Sequence, residues 1–301
     1  MASVLLAAGA AQAQDGPLWM RYPAISPDGK TIAFTYCGDI FTVPADGGRA
    51  TQLTTHPAHD TRPVWSPDGR QIAFASDRNG GFDVFIMSRY GGAPTRLTTH
   101  SADEYPETFA DSTHVLFSAS IQQDYRDIQF PGGQFSQIYS VPTSGGRPVM
   151  FSSMVMQNLS LDKSGGRLLY HDMKGYEDNW RKHHRSSITR DIWMCTLGEN
   201  RSYRKLTSFR GEDRNPVWAP DGDSFYYLSE ENGSFNVYKY SLSDGNHSQV
   251  TQHTKNPVRF LTVADNGTLC YGYDGEIYTM REGAQPSKVK VEIVTDRVEN
   301  D

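Results

Sequence analysis

The sequence predicts an all-β fold, namely a six-bladed β-propeller with four antiparallel strands in each blade. First, 27 Gly, 16 Pro, 16 Tyr and 14 Phe among 301 residues are typical of short strands joined by tight turns. Second, Ser-Pro-Asp-Gly followed after two residues by Ile-Ala-Phe occurs at residues 26–34 and again at 66–74. Third, a four-stranded unit repeated about every 40 residues is typical of propellers, whose radial arrangement protects the strand edges.

Degenerate copies of this motif bring the number of units to six. They begin at Ala110, Asp162, Ala219 and Ala264, and each precedes a second apolar run. A linear array of the same units would need a polar cap at each end, and neither terminal unit resembles one. We therefore expect a closed ring whose blades cover approximately residues 21–56, 59–100, 102–153, 154–208, 210–253 and 254–293.

Each unit divides into four strands, A to D, in chain order. Strand A is apolar and often contains a residue-proline pair, as in Arg-Pro-Val-Trp at residues 62–65. The Asp-Gly behind it supplies the left-handed residues of a hairpin turn, and strand B is the Ile-Ala-Phe run. Strand C begins with a polar residue and two apolar ones, such as Asp83, Val84 and Phe85. Strand D alternates polar and apolar residues, as a half-exposed outer strand does.

The ends of the repeat predict how the ring closes. Strand A of the first unit begins at Tyr22, and the sixth unit has its own outer strand near residues 287–293. No blade therefore needs strands from both termini. We expect packing between the first and last blades to hold the ring together, without a shared blade.

Charge and hydropathy argue against two classes of protein, and the amino-terminal residues indicate a cellular location. The net charge is −6 with no basic block, which argues against nucleic-acid binding. No run of 18 apolar residues is present, which argues against a membrane span. Residues 1–14 contain an apolar stretch followed by Ala-Gln-Ala at 11–13, like the cleavage site of a bacterial secretory signal, although a basic n-region is missing. We expect residues 1–14 to be a signal-peptide remnant and the protein to be exported to the periplasm; the alternative is an apolar tail.

The repeat resembles that of a known group of propellers. Residues 65–74 (Trp-Ser-Pro-Asp-Gly-Arg-Gln-Ile-Ala-Phe), with Gly-Gly at 91–92 and Arg-Leu-Thr at 96–98, resemble the WD40-like repeat of TolB-type propellers. The same repeat occurs in the amino-terminal six-bladed propellers of tricorn-like proteases, and the likeness covers residues 21–293. TolB is expected to place an α/β domain ahead of its propeller, whereas here the propeller begins soon after residue 14. Residues 291–297 also resemble the linker that leads to the next propeller of tricorn-like proteins, so residues 294–301 are expected to begin a linker to a missing domain.

The resemblance implies a function for residues 15–293. Tricorn-like proteases carry their catalytic serine in carboxy-terminal domains, beyond two propellers and a PDZ-like module, so it implies no catalytic residue in this chain. It implies a non-catalytic module of an exported serine peptidase, which binds peptides or channels them to or from a catalytic domain. One alternative is a stand-alone TolB-like propeller that binds a protein. The other is a propeller lyase or hydrolase that acts on oligosaccharides.

Motifs that carry catalytic or metal chemistry are missing from the sequence. It contains no G-x-S-x-G, H-E-x-x-H or G-x-G-x-x-G. Cys37, Cys195 and Cys270 show no C-x-x-C spacing, so neither a zinc site nor a disulfide framework is indicated. The repeated aspartates adjoin turns in which Asp binds its own backbone, and His183 and His184 are adjacent, which favours a solvated basic loop over a metal site. We expect no cofactor and no metal.

Two long insertions between strands B and C supply the candidate binding site. The B–C connections contain 4, 8, 19, 20, 8 and 4 residues in the six units, so residues 118–136 and 171–190 stand out. All B–C connections of an up-and-down propeller share one face, hence both insertions should rise from neighbouring blades on the same side. Loops on a rigid scaffold often carry function, and we expect these to bind peptides or protein domains, including further domains of the same polypeptide. The alternative is that they pack on each other and plug the channel. Their residues of the types found in interface hot spots are Tyr125, Arg126, Asp127, Phe130, Phe135, Tyr176, Trp180, Arg181 and Arg185.

Overall fold

A computed structural model describes residues 17–121, 135–175 and 185–294. Those residues form six antiparallel four-stranded sheets and no helix, and the sheets are arranged as a β-propeller. The predicted fold class is therefore confirmed. Within the same residues, no helix is long and apolar enough to cross a membrane.

Each blade is built from consecutive strands of the chain. In the chain, the two-residue strand β4 lies between the third and outer strands of blade one, but it belongs to a separate two-stranded sheet. The strands of blades one to three are β1 (Arg21–Ile25), β2 (Thr31–Tyr36), β3 (Asp39–Pro44), β4 (Gly48–Arg49) and β5 (Thr51–Gln52); β6 (Asp60–Trp65), β7 (Gln71–Ser76), β8 (Asp83–Ser88) and β9 (Thr95–Arg96); and β10 (Glu104–Asp111), β11 (His114–Ala119), β12 (Gln137–Pro142) and β13 (Val149–Ser152).

Blades four to six repeat this order, and one more short strand, β26, follows the last blade. The innermost strand of every blade is its first, and the outermost is its last. The strands are β14 (Met156–Leu161), β15 (Arg167–Asp172), β16 (Ile192–Thr196) and β17 (Ser202–Lys205); β18 (Asp213–Trp218), β19 (Ser224–Ser229), β20 (Asn236–Ser241) and β21 (His247–Gln249); and β22 (Arg259–Val263), β23 (Leu269–Tyr273), β24 (Glu276–Met280), β25 (Ser287–Lys288) and β26 (Val291–Glu292).

The Ser-Pro-Asp-Gly motif makes the turn between strands A and B. Ser26 Oγ donates a 2.6 Å hydrogen bond to Asp28 Oδ1, and the same carboxylate oxygen accepts one of 3.0 Å from the Lys30 N–H. Gly29 has φ +72°, the left-handed conformation that favours glycine. The hydrogen bond from Ser26 is the largest cause of the lowered pKa of Asp28. This geometry supports a structural role for the aspartate of the repeat.

Apolar side chains of neighbouring blades pack together to form the core. Side chains in the middle of strand B, such as Phe34 and Phe74, are completely buried. Tryptophans at the ends of strand A add hydrogen bonds between blades, because Trp65 Nε1 donates to Ala24 O at 2.8 Å and Trp218 Nε1 donates to Ser160 O at 3.0 Å. Burial of apolar surface between sheets is therefore what holds each blade against the next.

Main-chain hydrogen bonds also join the first and last blades. β26 lies parallel to β4, with Gly48 N–H donating to Lys290 O and Ala50 N–H donating to Glu292 O, both at 2.8 Å. Each four-stranded sheet consists of consecutive strands, as the sequence predicts. The sequence predicts that packing between the first and last blades closes the ring, and the parallel pair adds hydrogen bonds to that packing. We call this pair, residues 48–50 with 290–292, the clasp.

The innermost strand of every blade contains a β-bulge at the same place. The pairing register shifts near the start of each of these strands, for instance between Thr61 and Val64 and between Arg214 and Val217. A bulge bends the strand and redirects a side chain. In five of the blades it brings a non-glycine residue with a left-handed φ of 50–59° to the inner wall: Tyr22, Arg62, Asn158, Asn215 and Phe260.

Candidate functional site

The inner strands of all six blades line a central cavity of about 1420 Å³. The bulges place one ring of side chains around it, which we call the bulge ring. In blade three the register shifts between Pro106 and Thr108, so Glu107 occupies the corresponding position. The bulge ring consists of Tyr22, Arg62, Glu107, Asn158, Asn215 and Phe260, all in the cavity wall.

One side of the bulge ring is aromatic and basic. The guanidinium of Arg62 lies 4.2 Å from the centroid of the Tyr105 ring and 5.5 Å from that of Tyr22. Tyr22 in turn packs on Phe260, with ring centroids 4.4 Å apart. These contacts join blades one, two, three and six, so the aromatic rings hold the arginine in place across three blade boundaries.

Glu107 connects the bulges of blades three and four. Its carboxyl accepts a 2.8 Å hydrogen bond from Asn158 N–H. Desolvation nevertheless raises the pKa of this carboxyl, and the nearby charge of Arg62 opposes that rise. Because this hydrogen bond joins neighbouring blades, it fixes the wall of the cavity at Glu107.

His171 and Asn215 fix the opposite wall. Asn215 N–H donates to His171 Nδ1 at 3.2 Å, so Nδ1 is an acceptor, and His171 Nε2 carries the proton and donates to Gln157 Oε1 at 3.1 Å. Burial, followed by the charges of Arg190 and Arg214, lowers the pKa of His171 far below its usual range. This imidazole is therefore neutral, and both of its nitrogens have partners in the protein.

Buried ion pairs anchor the second insertion where it rejoins the blade. Arg190 Nη1 lies 3.3 Å from Glu212 Oε2, and Arg214 Nε donates to the same oxygen at 2.9 Å. The Arg190 side chain is only 2% exposed, although it is the largest fully buried side chain of the described residues. Next to it, Lys174 pairs with Asp191 across the base of the insertion. A buried arginine needs such partners, because an unpaired charge there is strongly destabilising.

Both insertions leave the propeller from the same face. Ala119 ends strand B of blade three and pairs with Glu104 at the start of strand A, while Asp172 ends strand B of blade four and pairs with Met156. The described bases of the insertions thus lie at the ends of neighbouring blades where the inner strands begin, as the loop lengths predict. We call this end of the propeller the B–C face.

Most of the predicted site residues fall outside the described part of the chain. Phe135 and Arg185 are described and exposed, at the bases of the first and second insertions. The proposed interface therefore stays a prediction. The residues outside the described ranges are Tyr125, Arg126, Asp127, Phe130, Tyr176, Trp180 and Arg181.

The bulge ring is a feature that sequence reasoning missed. Its signal was the repeated residue-proline pair of strand A, seen at Tyr22, Arg62 and Asn215. Proline disfavours the α conformation for the residue before it, so the pairs indicate strands, and the left-handed φ of Tyr22, Arg62 and Asn215 does not follow from that rule. As for metals, no group of three His, Cys, Asp or Glu side chains in residues 17–121, 135–175 and 185–294 could hold an ion.

Comparison with known proteins identifies the family. The family model described as the tricorn protease N-terminal β-propeller domain matches residues 17–286. The chain belongs to this family. The predicted resemblance to tricorn-like propellers is thereby confirmed.

Individual relatives agree with the family assignment. Tricorn protease homolog 1 of Streptomyces coelicolor is 26% identical over 291 residues, which cover 94% of this chain and 26% of that protein. The crystal structure of the tricorn protease has a TM-score of 0.77 at 18% identity and covers 94% of this chain and 27% of the other. TolB from Acinetobacter baumannii shares the fold, with a TM-score of 0.63 at 15% identity, 89% of this chain and 62% of the other. The present tricorn-type propeller thus spans about a quarter of the curated homologue's length.

Proposed function

We propose that this propeller is the non-catalytic module of an exported tricorn-like serine peptidase and that its central cavity binds extended peptides or passes them to a catalytic domain. The cavity is the observation that carries the proposal. At about 1420 Å³ it exceeds the range of about 300–1,000 Å³ typical of small-molecule pockets. Its wall combines aromatic rings, a guanidinium and side-chain amides, which are groups that contact side chains and main-chain amides of a peptide.

A non-catalytic role agrees with the chemistry of the wall. A general base must reach the proton that it removes, whereas His171 has both ring nitrogens bound to Gln157 and Asn215. Hydrolysis of a glycoside usually needs a pair of carboxyl groups on either side of the bond. The bulge ring has a single carboxyl, that of Glu107, which accepts from Asn158 N–H at 2.8 Å. Aspartates elsewhere in the cavity wall, such as Asp68 and Asp162, accept hydrogen bonds within the turns of the repeat. These observations favour binding over the oligosaccharide alternative.

The B–C face supplies a second part of the proposed site. Residues 118–136 and 171–190 begin and end on this face, beside the ends of the inner strands that line the cavity. The ion pairs of Arg190 and Lys174 fix the base of the second insertion. We infer that the insertions contact the peptide or a further domain of the same polypeptide at the mouth of the cavity.

Photo-crosslinking of a bound peptide tests this function. An extended peptide of about eight residues, long enough to span about 26 Å, carries a benzophenone at its centre and is titrated by fluorescence anisotropy. After irradiation, mass spectrometry should locate cross-links on the inner strands β1, β6, β10, β14, β18 or β22 of at least two blades. The same peptide with the benzophenone at one end, and not at its centre, serves as the control. Lack of saturable binding, or cross-links confined to the outer strands, would contradict the proposal.

A further inference from the structure

Arg62 differs from Arg214, another arginine of the cavity wall, and from Arg78 of its own blade. Arg214 donates to Glu212 at 2.9 Å, and Arg78 donates to both carboxylate oxygens of Asp60 at 2.9 Å. The guanidinium of Arg62 makes its contacts with the faces of two aromatic rings. Within residues 17–121, 135–175 and 185–294, it donates no hydrogen bond.

The nearest acidic group of the bulge ring does not take these donors. Glu107 influences Arg62 through its charge, but the hydrogen bond that its carboxylate accepts comes from Asn158 N–H, at 2.8 Å. Arginine has five N–H donors in a fixed planar fork. At Arg62 that fork belongs to a half-buried side chain in the cavity wall.

The two tyrosine rings beside Arg62 also fix its orientation. Tyr22 and Tyr105 come from the blades on either side of blade two, and both rings lie against the guanidinium. Cation–π contacts of this kind favour a stacked, ordered side chain. The Arg62 side chain is thus already ordered in the free protein. Less conformational entropy is lost when a ligand binds, which favours affinity.

We propose that Arg62 is a carboxylate-binding subsite of the cavity. The fork accepts a planar carboxylate through two parallel charge-assisted hydrogen bonds, while Tyr22 and Phe260 offer an apolar surface beside it. The carboxylate belongs either to the carboxy terminus of an extended peptide or to an Asp or Glu side chain within it. This inference rests on the proposed function and specifies which peptides the cavity prefers.

Three peptides that share one neutral sequence of about eight residues distinguish a terminal carboxylate from a side-chain carboxylate. The first is acetylated and amidated, the second has a free carboxy terminus, and the third is blocked at both ends but carries one central Glu. Isothermal titration at pH 7.5 should show binding of at least one carboxylate peptide about tenfold tighter than binding of the fully blocked peptide, a preference that corresponds to about 1.4 kcal/mol. Preference for the second peptide alone assigns the subsite to the terminus, and preference for the third assigns it to side chains.

Variants of Arg62 test the residue itself. Arg62→Gln should abolish the preference, and Arg62→Lys should lose most of it, because an ammonium lacks the bidentate fork. Arg70→Gln changes an exposed arginine, 81% accessible, and is the matched control. If Arg62→Gln keeps the preference, or all three peptides bind equally to the wild type, the subsite is refuted while the proposed function stands. If no peptide binds, both are refuted.

Discussion

The clasp makes a quantitative prediction through a matched pair of glycines. Gly47 and Gly145 occupy the same turn after strand C in blades one and three, and each donates a 2.9 Å hydrogen bond to a proline carbonyl three residues earlier. Their φ angles are +95° and +82°. A Cβ on Gly47 would lie 2.8 Å from Lys290 O, whereas a Cβ on Gly145 would have nothing within 4 Å. Alanine at either position therefore strains the backbone, but only at Gly47 does it also press on the clasp.

The magnitudes follow from these two contributions. The left-handed conformation costs an L-residue about 1–2 kcal/mol, and this cost applies to both variants. Gly47→Ala additionally displaces β26 and weakens two main-chain hydrogen bonds, from Gly48 and Ala50, each worth about 1 kcal/mol. We expect Gly47→Ala to lower the free energy of unfolding by about 2 kcal/mol more than Gly145→Ala does.

Urea unfolding and hydrogen exchange together check this reasoning. Urea titrations give the difference between the two variants, and exchange at the amides of Gly48 and Ala50 reports the clasp directly. Both amides should exchange faster in Gly47→Ala and at the wild-type rate in Gly145→Ala. Equal losses of stability in the two variants, with unchanged protection at Gly48 and Ala50, would refute the role assigned to the clasp.

Four further predictions concern pH, binding and activity. Because the pKa of His171 is lowered in the folded protein, only the unfolded chain binds a proton at this residue as the pH drops below about 6.5. The free energy of unfolding should therefore fall by up to about 1.4 kcal/mol per pH unit below that pH. In His171→Gln, the free energy of unfolding measured in urea should depend less on pH between 6.5 and 5. Burial raises the pKa of Glu104 to about 7, so its stability contribution is lost as the pH rises from about 4.5 through 7, and Glu104→Gln should exceed the wild type in stability at pH 8 but not at pH 4. Truncating Trp180 or Arg126 to Ala should weaken peptide or domain binding by about 1–3 kcal/mol with little change in melting temperature; a large drop in melting temperature with unaltered binding would support the plug alternative. The purified chain should not cleave unstructured peptides, and cleavage blocked by a serine-directed inhibitor, absent from a preparation without this chain, would contradict its non-catalytic role.

Local signals in the sequence were enough to predict the blades. The spacing of Ser-Pro-Asp-Gly at residues 26–29 and 66–69 and the apolar run behind each motif specify a hairpin within a few residues. Such turns depend on neighbours in the chain, as the hydrogen bonds among Ser26, Asp28 and Lys30 show. The sequence could therefore indicate six four-stranded units before any tertiary contact was known.

The clasp and the bulge ring could not be predicted in the same way. The clasp pairs residues 48–49 with 291–292, and no local pattern in either short segment requires the other. The surroundings of Arg62 come from Tyr22 in blade one and Tyr105 in blade three, so its role depends on three repeats at once. A repeat reveals what its copies share, whereas this site depends on the positions at which the copies differ.

The seam between blades one and six has a consequence for folding. Each four-stranded sheet joins neighbouring segments, but the seam joins distant ones: Ile25 N–H donates to Thr262 Oγ1 across 237 positions of the chain. Contacts of high contact order form slowly, because the entropy of closing a long loop is lost before they are gained. The blades can therefore assemble progressively along the chain, and we expect ring closure at this seam to be the rate-limiting event of folding.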